Sequence, residues 1–143
     1  MIVADDKTFK VEVITPQKVV FNGEVIGFFA PGVLGSFEIL KNHTAFITSM
    51  KIGELCLRHP DGYDEYYATS GGFVDVHENK VLVLAETCER AADIDVNRAK
   101  AAHDKARKKL EERSNYDLDQ VTQALLRATN RLRIAEEKNK KSP

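Results

Sequence analysis

The 143-residue chain changes character near residue 90, and that break constrains its fold more than any other feature. All 8 Gly lie at or before Gly72, and every Phe lies at or before Phe73. Pro16, Pro31 and Pro60 fall in the first part, and the only later proline is Pro143. Charge divides at the same place: residues 1–90 hold 8 basic and 13 acidic side chains, residues 91–143 hold 13 and 9. Gly, Pro, aromatic and β-branched residues punctuate short strands, whereas a Gly-free stretch of Ala, Lys, Arg, Glu and Leu is helix material. The break predicts a β domain over 1–90 followed by an α-helical one over 91–143.

Phe9, Val11 and Val13 alternate with Lys10 and Glu12, the period of a half-buried strand. Further strand-like runs are Val19 to Phe21, Glu24 to Ala30 closed by Pro31-Gly32, Ser36 to Leu40, Ala45 to Met50 and Gly53 to Arg58. Tyr63 to Ser70, Gly72 to Val76 and Lys80 to Glu86 complete the set. Asn22-Gly23, Pro60-Asp61-Gly62, Gly71-Gly72 and Glu78-Asn79 carry turn chemistry between them. Many short strands at this spacing predict an antiparallel β-sandwich, because two packed sheets bury faces that one sheet would expose.

In the second part Val96, Ala99, Ala102, Ala106 and Leu110 recur at helical spacing. After Ser114-Asn115-Tyr116-Asp117, so do Leu118, Val121, Leu125, Ala128, Leu132 and Ala135, which step as a heptad seam. Asp117 followed by Gln120 matches a capping box that restarts the helix. So short a connection predicts an antiparallel two-helix hairpin. Its alanines allow close approach but bury little area at ~25 cal/mol/Å², so the hairpin is expected to be marginal and easily rearranged. The charged run Glu136 to Pro143 is expected to fray.

Composition excludes several function classes. The net charge of -1 leaves no excess of positive charge to displace counterions from nucleic acid. No apolar run approaches the ~20 residues of a membrane span, and the acidic MIVADDKTFK does not read as a signal peptide. Cys56 and Cys88 read as small buried hydrophobes in a reducing compartment. There is no Gly-rich phosphate loop with a following Lys, no G-x-S-x-G and no paired His at metal-ligand spacing. Asp93 and Asp95 stand at a helix start, where capping explains them better than acid-base chemistry. No catalytic or metal site is expected.

Several segments in order carry a resemblance. Thr15-Pro-Gln, Phe21-Asn-Gly23, Ile39-Leu-Lys-Asn-His43, Ala68-Thr-Ser-Gly-Gly-Phe-Val-Asp-Val76, Val81-Leu-Val-Leu-Ala-Glu-Thr87 and Ile94-Asp-Val-Asn-Arg-Ala99 span nearly the whole chain. Together they resemble the epsilon subunit of bacterial F-type ATP synthases. The resemblance implies a non-catalytic rotor subunit of the central stalk, peripheral on the cytoplasmic face of the plasma membrane, that couples proton translocation to ATP synthesis. It implies a sandwich that binds the gamma subunit and the polar loops of the c-ring. It also implies a hairpin that moves between a compact state and an extended one reaching the alpha-beta hexamer, where it inhibits ATP hydrolysis. The c-ring contact falls on Glu38, Lys41, Asn42 and His43, and two of these depart from the family: Glu38 stands for a common Gly and Lys41 for a common Pro.

The hairpin arginines also bear a geometric argument. With the turn centred near Asn115, Arg98 falls roughly opposite Leu132 and within a turn of Arg131, while Arg127 shares a face with Arg131. Guanidiniums gathered this way repel one another unless an anion joins them, and Arg holds phosphate oxygens bidentately. In some members the motif matched by Ile94, Asp95, Arg98 and Ala99 binds ATP with second-helix arginines, and Glu89 matches a position near the adenine. No cofactor is required; regulatory ATP is the expected ligand. A further arginine of that pattern is Lys105 here, which lacks the planar fork. The competing reading is a free-standing adapter or nucleotide-sensing module with a switchable hairpin.

Overall fold

A computed structural model describes residues 6–112 and 115–138. The chain divides into two compact units, Met1–Arg90 and Ala91–Pro143. The first holds ten strands: β1 Phe9–Ile14, β2 Val19–Val25, β3 Gly27–Gly32, β4 Gly35–Ile39, β5 Phe46–Met50, β6 Gly53–Arg58, β7 Asp64–Thr69, β8 Gly72–His77, β9 Lys80–Ala85 and β10 Cys88–Arg90. Alternation decides which side chains go inward: Phe9, Val11 and Val13 are buried while Lys10 between them is exposed. The strands run in the order β10-β7-β6-β3-β5-β8-β9-β1-β2, with β4 on β3. β3 joins the two halves, pairing with β6 through Gly27–Phe29 and with β5 through Gly32↔Met50. Folding there packs Phe28, Leu55, Leu57 and Tyr67 from one half with Val11, Val13, Val74, Val81 and Val83 from the other.

The sandwich departs from expectation in five places. Asn22-Gly23 is not a turn: both residues lie inside β2, opposite Glu12 and Val11, and neither has the positive φ a type I′ turn needs. Gly23 instead leaves room for the Phe21 ring, which a Cβ there would meet at 3.1 Å. The expected run Glu24 to Ala30 is divided at Ile26 between β2 and β3. Pro31-Gly32 belongs to β3, and the reversal is one step later at Val33-Leu34, where Gly35 supplies φ 132°. Finally, β1 and β9 pair in parallel, and Cys88–Arg90, with Glu89 at its centre, forms an additional short strand, β10.

The second unit opens with a 3₁₀ turn, Ala91–Asp93, followed by α1 Val96–Glu111 and α2 Leu118–Lys138, which pack against each other. Asp117 Oδ1 accepts from the backbone N–H groups of Asp119 (3.1 Å) and Gln120 (3.2 Å), so it starts α2 as expected. Ser114 and the tail beyond Lys138 lie outside the described residues. In α1 the buried positions are Ala99 and Ala106; Val96 and Ala102 are exposed, and the partly covered His103 completes the stripe with Leu110. In α2 the seam residues Val121, Ala128 and Ala135 are buried, Leu118 is exposed, and Ile134 beside the seam is fully buried. α2 packs on the 3₁₀ turn as well as on α1, so its covered stripe is wider than one heptad seam. No described helix is long and apolar enough to cross a membrane.

Candidate functional site

At the start of α1 the motif Ile94 to Ala99 is first of all a helix start. Asp95 is the N-cap, with extended φ −78° and ψ 98°, and its side chain accepts from the Arg98 N–H at 3.0 Å. Ile94 and Ala99 occupy the two positions of a hydrophobic staple around that cap, and both are buried. Capping and burial therefore account for Ile94, Asp95 and Ala99. They do not account for Arg98, whose exposed cationic side chain sits in the first turn, where the helix dipole opposes positive charge. Arg98 is the charged motif residue that capping and burial leave unexplained.

On α2, Arg127 is exposed and Arg131 is half-buried, one helical turn apart. Ala99 and Ala106 are seven residues apart, as are Ala128 and Ala135, and all four are buried. Arg133 is engaged elsewhere, with Glu137 at 3.5 Å and Asn130 at 3.3 Å. Lys105 is exposed on α1. Glu89 lies in the other unit, on β10 opposite Ala68.

Glu38, Lys41, Asn42 and His43 do not form one patch of loop. Glu38 is an exposed residue of β4, opposite Phe29. The other three lie in a turn closed by His43 N–H to Leu40 O at 3.2 Å, with Asn42 at φ 68°. That turn is braced on the β8–β9 turn: Asn42 N–H donates to Asn79 Oδ1 at 2.6 Å, and Asn79 Nδ2 donates to Asn42 Oδ1 at 3.0 Å. At the opposite end of β4 the Val33-Leu34 reversal exposes Leu34 almost completely, 98%.

The largest feature that periodicity did not reveal is an apolar row on the outer face of the sandwich. Phe73 on β8 pairs with Leu84 on β9, Leu84 with Ile14 on β1, and Ile14 with Val19 on β2. Phe73 (57%), Leu84 (49%) and Val19 (54%) are exposed, and Ile47 on β5, 72% exposed, lies two residues along from Ser49, the β5 partner of Phe73. The far end of the same face is polar, with His77, Lys80, Lys10 and Glu24 in successive register. The available signal was phase: Ile14, Phe73 and Leu84 fall on the outward beat of their strands yet are apolar.

The two thiols offer no chemistry. Cys56 and Cys88 are free and buried. Burial, with Asp64 and Glu54 near Cys56 and Glu89 near Cys88, pushes both thiols up to about 12, so neither forms a thiolate near neutrality. Among the described residues no group of His, Cys, Asp and Glu could hold a metal ion.

The fold defines a class, a β-sandwich module that carries a helical hairpin. Residues 8–91 match the beta-sandwich domain, and residues 92–136 the long alpha-helix domain, of the ATP synthase delta/epsilon chain. The chain belongs to the ATP synthase delta/epsilon chain family. It is 41% identical over 132 residues to the ATP synthase epsilon chain of Syntrophomonas wolfei, covering 92% of this chain and 96% of that one. To the epsilon chain of Geotalea uraniireducens it is 43% identical over 128 residues, 88% and 92% of the two chains. In fold it resembles a chain of the Euglena gracilis mitochondrial ATP synthase OSCP/F1/c-ring structure, with TM-score 0.68, 18% identity and coverage of 94% and 81%. A chain of the Tetrahymena thermophila mitochondrial ATP synthase central stalk and c-ring gives TM-score 0.54, 17% identity, and 90% and 94% coverage.

Proposed function

We propose that this chain is a non-catalytic rotor subunit of the central stalk of a bacterial F-type ATP synthase, peripheral on the cytoplasmic face of the membrane. In this reading it couples proton translocation to ATP synthesis and its hairpin restrains ATP hydrolysis. The observation that carries the reading is the outward apolar row Phe73–Leu84–Ile14–Val19 in a member of this family. An exposed apolar sheet face has little use on a free protein, and the gamma subunit is the partner proposed for it. Glu38, Lys41, Asn42 and His43 are assigned to the c-ring loops, and the Asn42–Asn79 brace supports a preformed contact. The helical unit packs through four buried alanines with Val121 and Ile134, a small apolar seam that a partner such as the alpha-beta hexamer can displace.

ATP is the regulatory ligand proposed for the hairpin, held by Arg98, Arg127 and Arg131, with Ile94, Asp95 and Ala99 shaping the helix start. Glu89 is assigned to the adenine end. A ligand bound only to the compact state stabilises it by RT ln(1 + [L]/Kd), about 1.4 kcal/mol at ten times Kd. Co-purification with gamma and alpha-beta separates a stalk subunit from a free-standing sensor. The deciding test is ATPase activity of the reconstituted motor with and without residues 91–143. Deletion is expected to raise hydrolysis and leave assembly intact; unchanged hydrolysis rejects the inhibitory role. Calorimetry with ATP on the isolated chain is expected to lose its signal in Arg98→Ala and Arg131→Ala.

A further inference from the structure

One polar cluster of the β unit is used by neither the docking face nor the hairpin arginines. Glu65 on β7 is only 16% exposed at its side chain. Its Oε1 accepts from the Tyr67 hydroxyl at 2.8 Å and lies 3.0 Å from His59 Nε2, while Oε2 accepts from Arg90 at 3.3 Å. The His59 ring is itself held, stacked on Tyr63 at 5.8 Å and met edge-on by Phe21 at 5.7 Å. Burial alone would raise the Glu65 carboxyl, but the bonds from Tyr67, His59 and Arg90 outweigh it and hold the group below the usual glutamate range. The cluster thus keeps a carboxylate charged and aimed at Arg90.

Arg90 is the last residue of β10 and of the β unit. β10 has three residues, stands at the end of the sheet and pairs with β7 through Cys88↔Thr69, Glu89↔Ala68 and Arg90↔Tyr67. So short a terminal strand frays readily unless its ends are held. Cys88, buried in the core, holds the first end. The Arg90–Glu65 pair holds the second. We propose that Glu65 is a latch: by holding Arg90 it fixes where the chain leaves the β unit and limits how freely the helical unit rearranges. The proposal rests on the mobile-hairpin reading given above.

Hydrogen exchange on the full chain tests the latch, comparing wild type with Arg90→Ala, Glu65→Gln and Arg90→Lys. Arg90 is half exposed, so its replacement leaves the core intact. The amides of Cys88–Arg90 are expected to exchange about tenfold faster in Arg90→Ala and Glu65→Gln, the effect of one lost charge-assisted bond, with β1 and β9 unchanged. Arg90→Lys is expected to recover part of the protection. Dyes on Ser36→Cys and Gln123→Cys then report the helical unit, and their distance distribution is expected to broaden in Arg90→Ala. Unchanged β10 exchange overturns the latch. An equal acceleration across the whole β unit also overturns it, since Glu65 would then be an ordinary stabilising residue. So does fast β10 exchange with an unchanged dye distribution. Failure of the inhibitory reading shows separately, in the ATPase of the motor lacking residues 91–143.

Discussion

Asp95 and Arg98 stand three residues apart and serve different ends. The cap bond from Asp95 to the Arg98 N–H stabilises the helix, whereas the Arg98 guanidinium is in the turn where the dipole disfavours it. Asp95→Ala is expected to cost the helical unit about 1 kcal/mol, read as a lower far-UV melting transition. Arg98→Ala is expected to leave that transition in place or raise it slightly, while abolishing the ATP signal in calorimetry. Glu65 links the stability of the β unit to pH. Its carboxyl titrates lower in the folded chain than in the unfolded one, so the unfolded chain binds more protons as pH falls. The stability it contributes is complete above the usual glutamate range, about 4.3, and is lost as pH falls through the lower folded value. Urea midpoints across that range are expected to fall less steeply in Glu65→Gln than in wild type. The cap was legible because an N-cap is a local pattern, Asp followed by a helical run. The Glu65 cluster was not, because His59, Glu65 and Arg90 meet only after three strand segments pair.

At the scale of elements, turn chemistry sorted itself by neighbours rather than by dipeptide. Glu78-Asn79 forms the hairpin between β8 and β9 with φ 49° and 58°, the conformation that two-residue loops favour. Asn22-Gly23, the stronger dipeptide signal, lies flat in β2 because Phe21 and Val25 on either side find partners across β1. Gly72 opens β8 at φ 138°, and a Cβ there would meet Leu84 O at 2.1 Å and Ala85 Cα at 2.8 Å. Backbone cannot give way as a flexible side chain does. Gly72→Ala is therefore expected to destabilise the β unit by more than about 2 kcal/mol, measured as a shift in its urea midpoint at constant m. The expected α1 stripe holds at Ala99, Ala106 and Leu110 but not at Val96 and Ala102, for a related reason. Several helical phases fit an alanine-rich sequence, and only packing chose Ala99, His103, Ala106 and Leu110 over Val96 and Ala102.

At the scale of the whole molecule, the boundary at Arg90 separates two units with different grounds for stability. The first has a continuous core from Phe9 to Cys88 and both turns and ladders of its own. A chain ending at Ala91 is expected to unfold cooperatively in urea and to keep its affinity for gamma; a broad, non-cooperative transition would contradict independent folding. What the amino-acid order determined by itself was everything written within a few residues: the β-then-α division, most strand segments, the caps at Asp95 and Asp117, and the alanine-rich character of the hairpin. Tertiary structure decided the parallel β1–β9 pairing, the strand β10, and the gathering of Phe73, Leu84, Ile14 and Val19 into one row. Periodicity records which side of an element is apolar, but not which other element it meets. Residues 14 and 84 become neighbours only when hydrogen bonds between distant strands set their register.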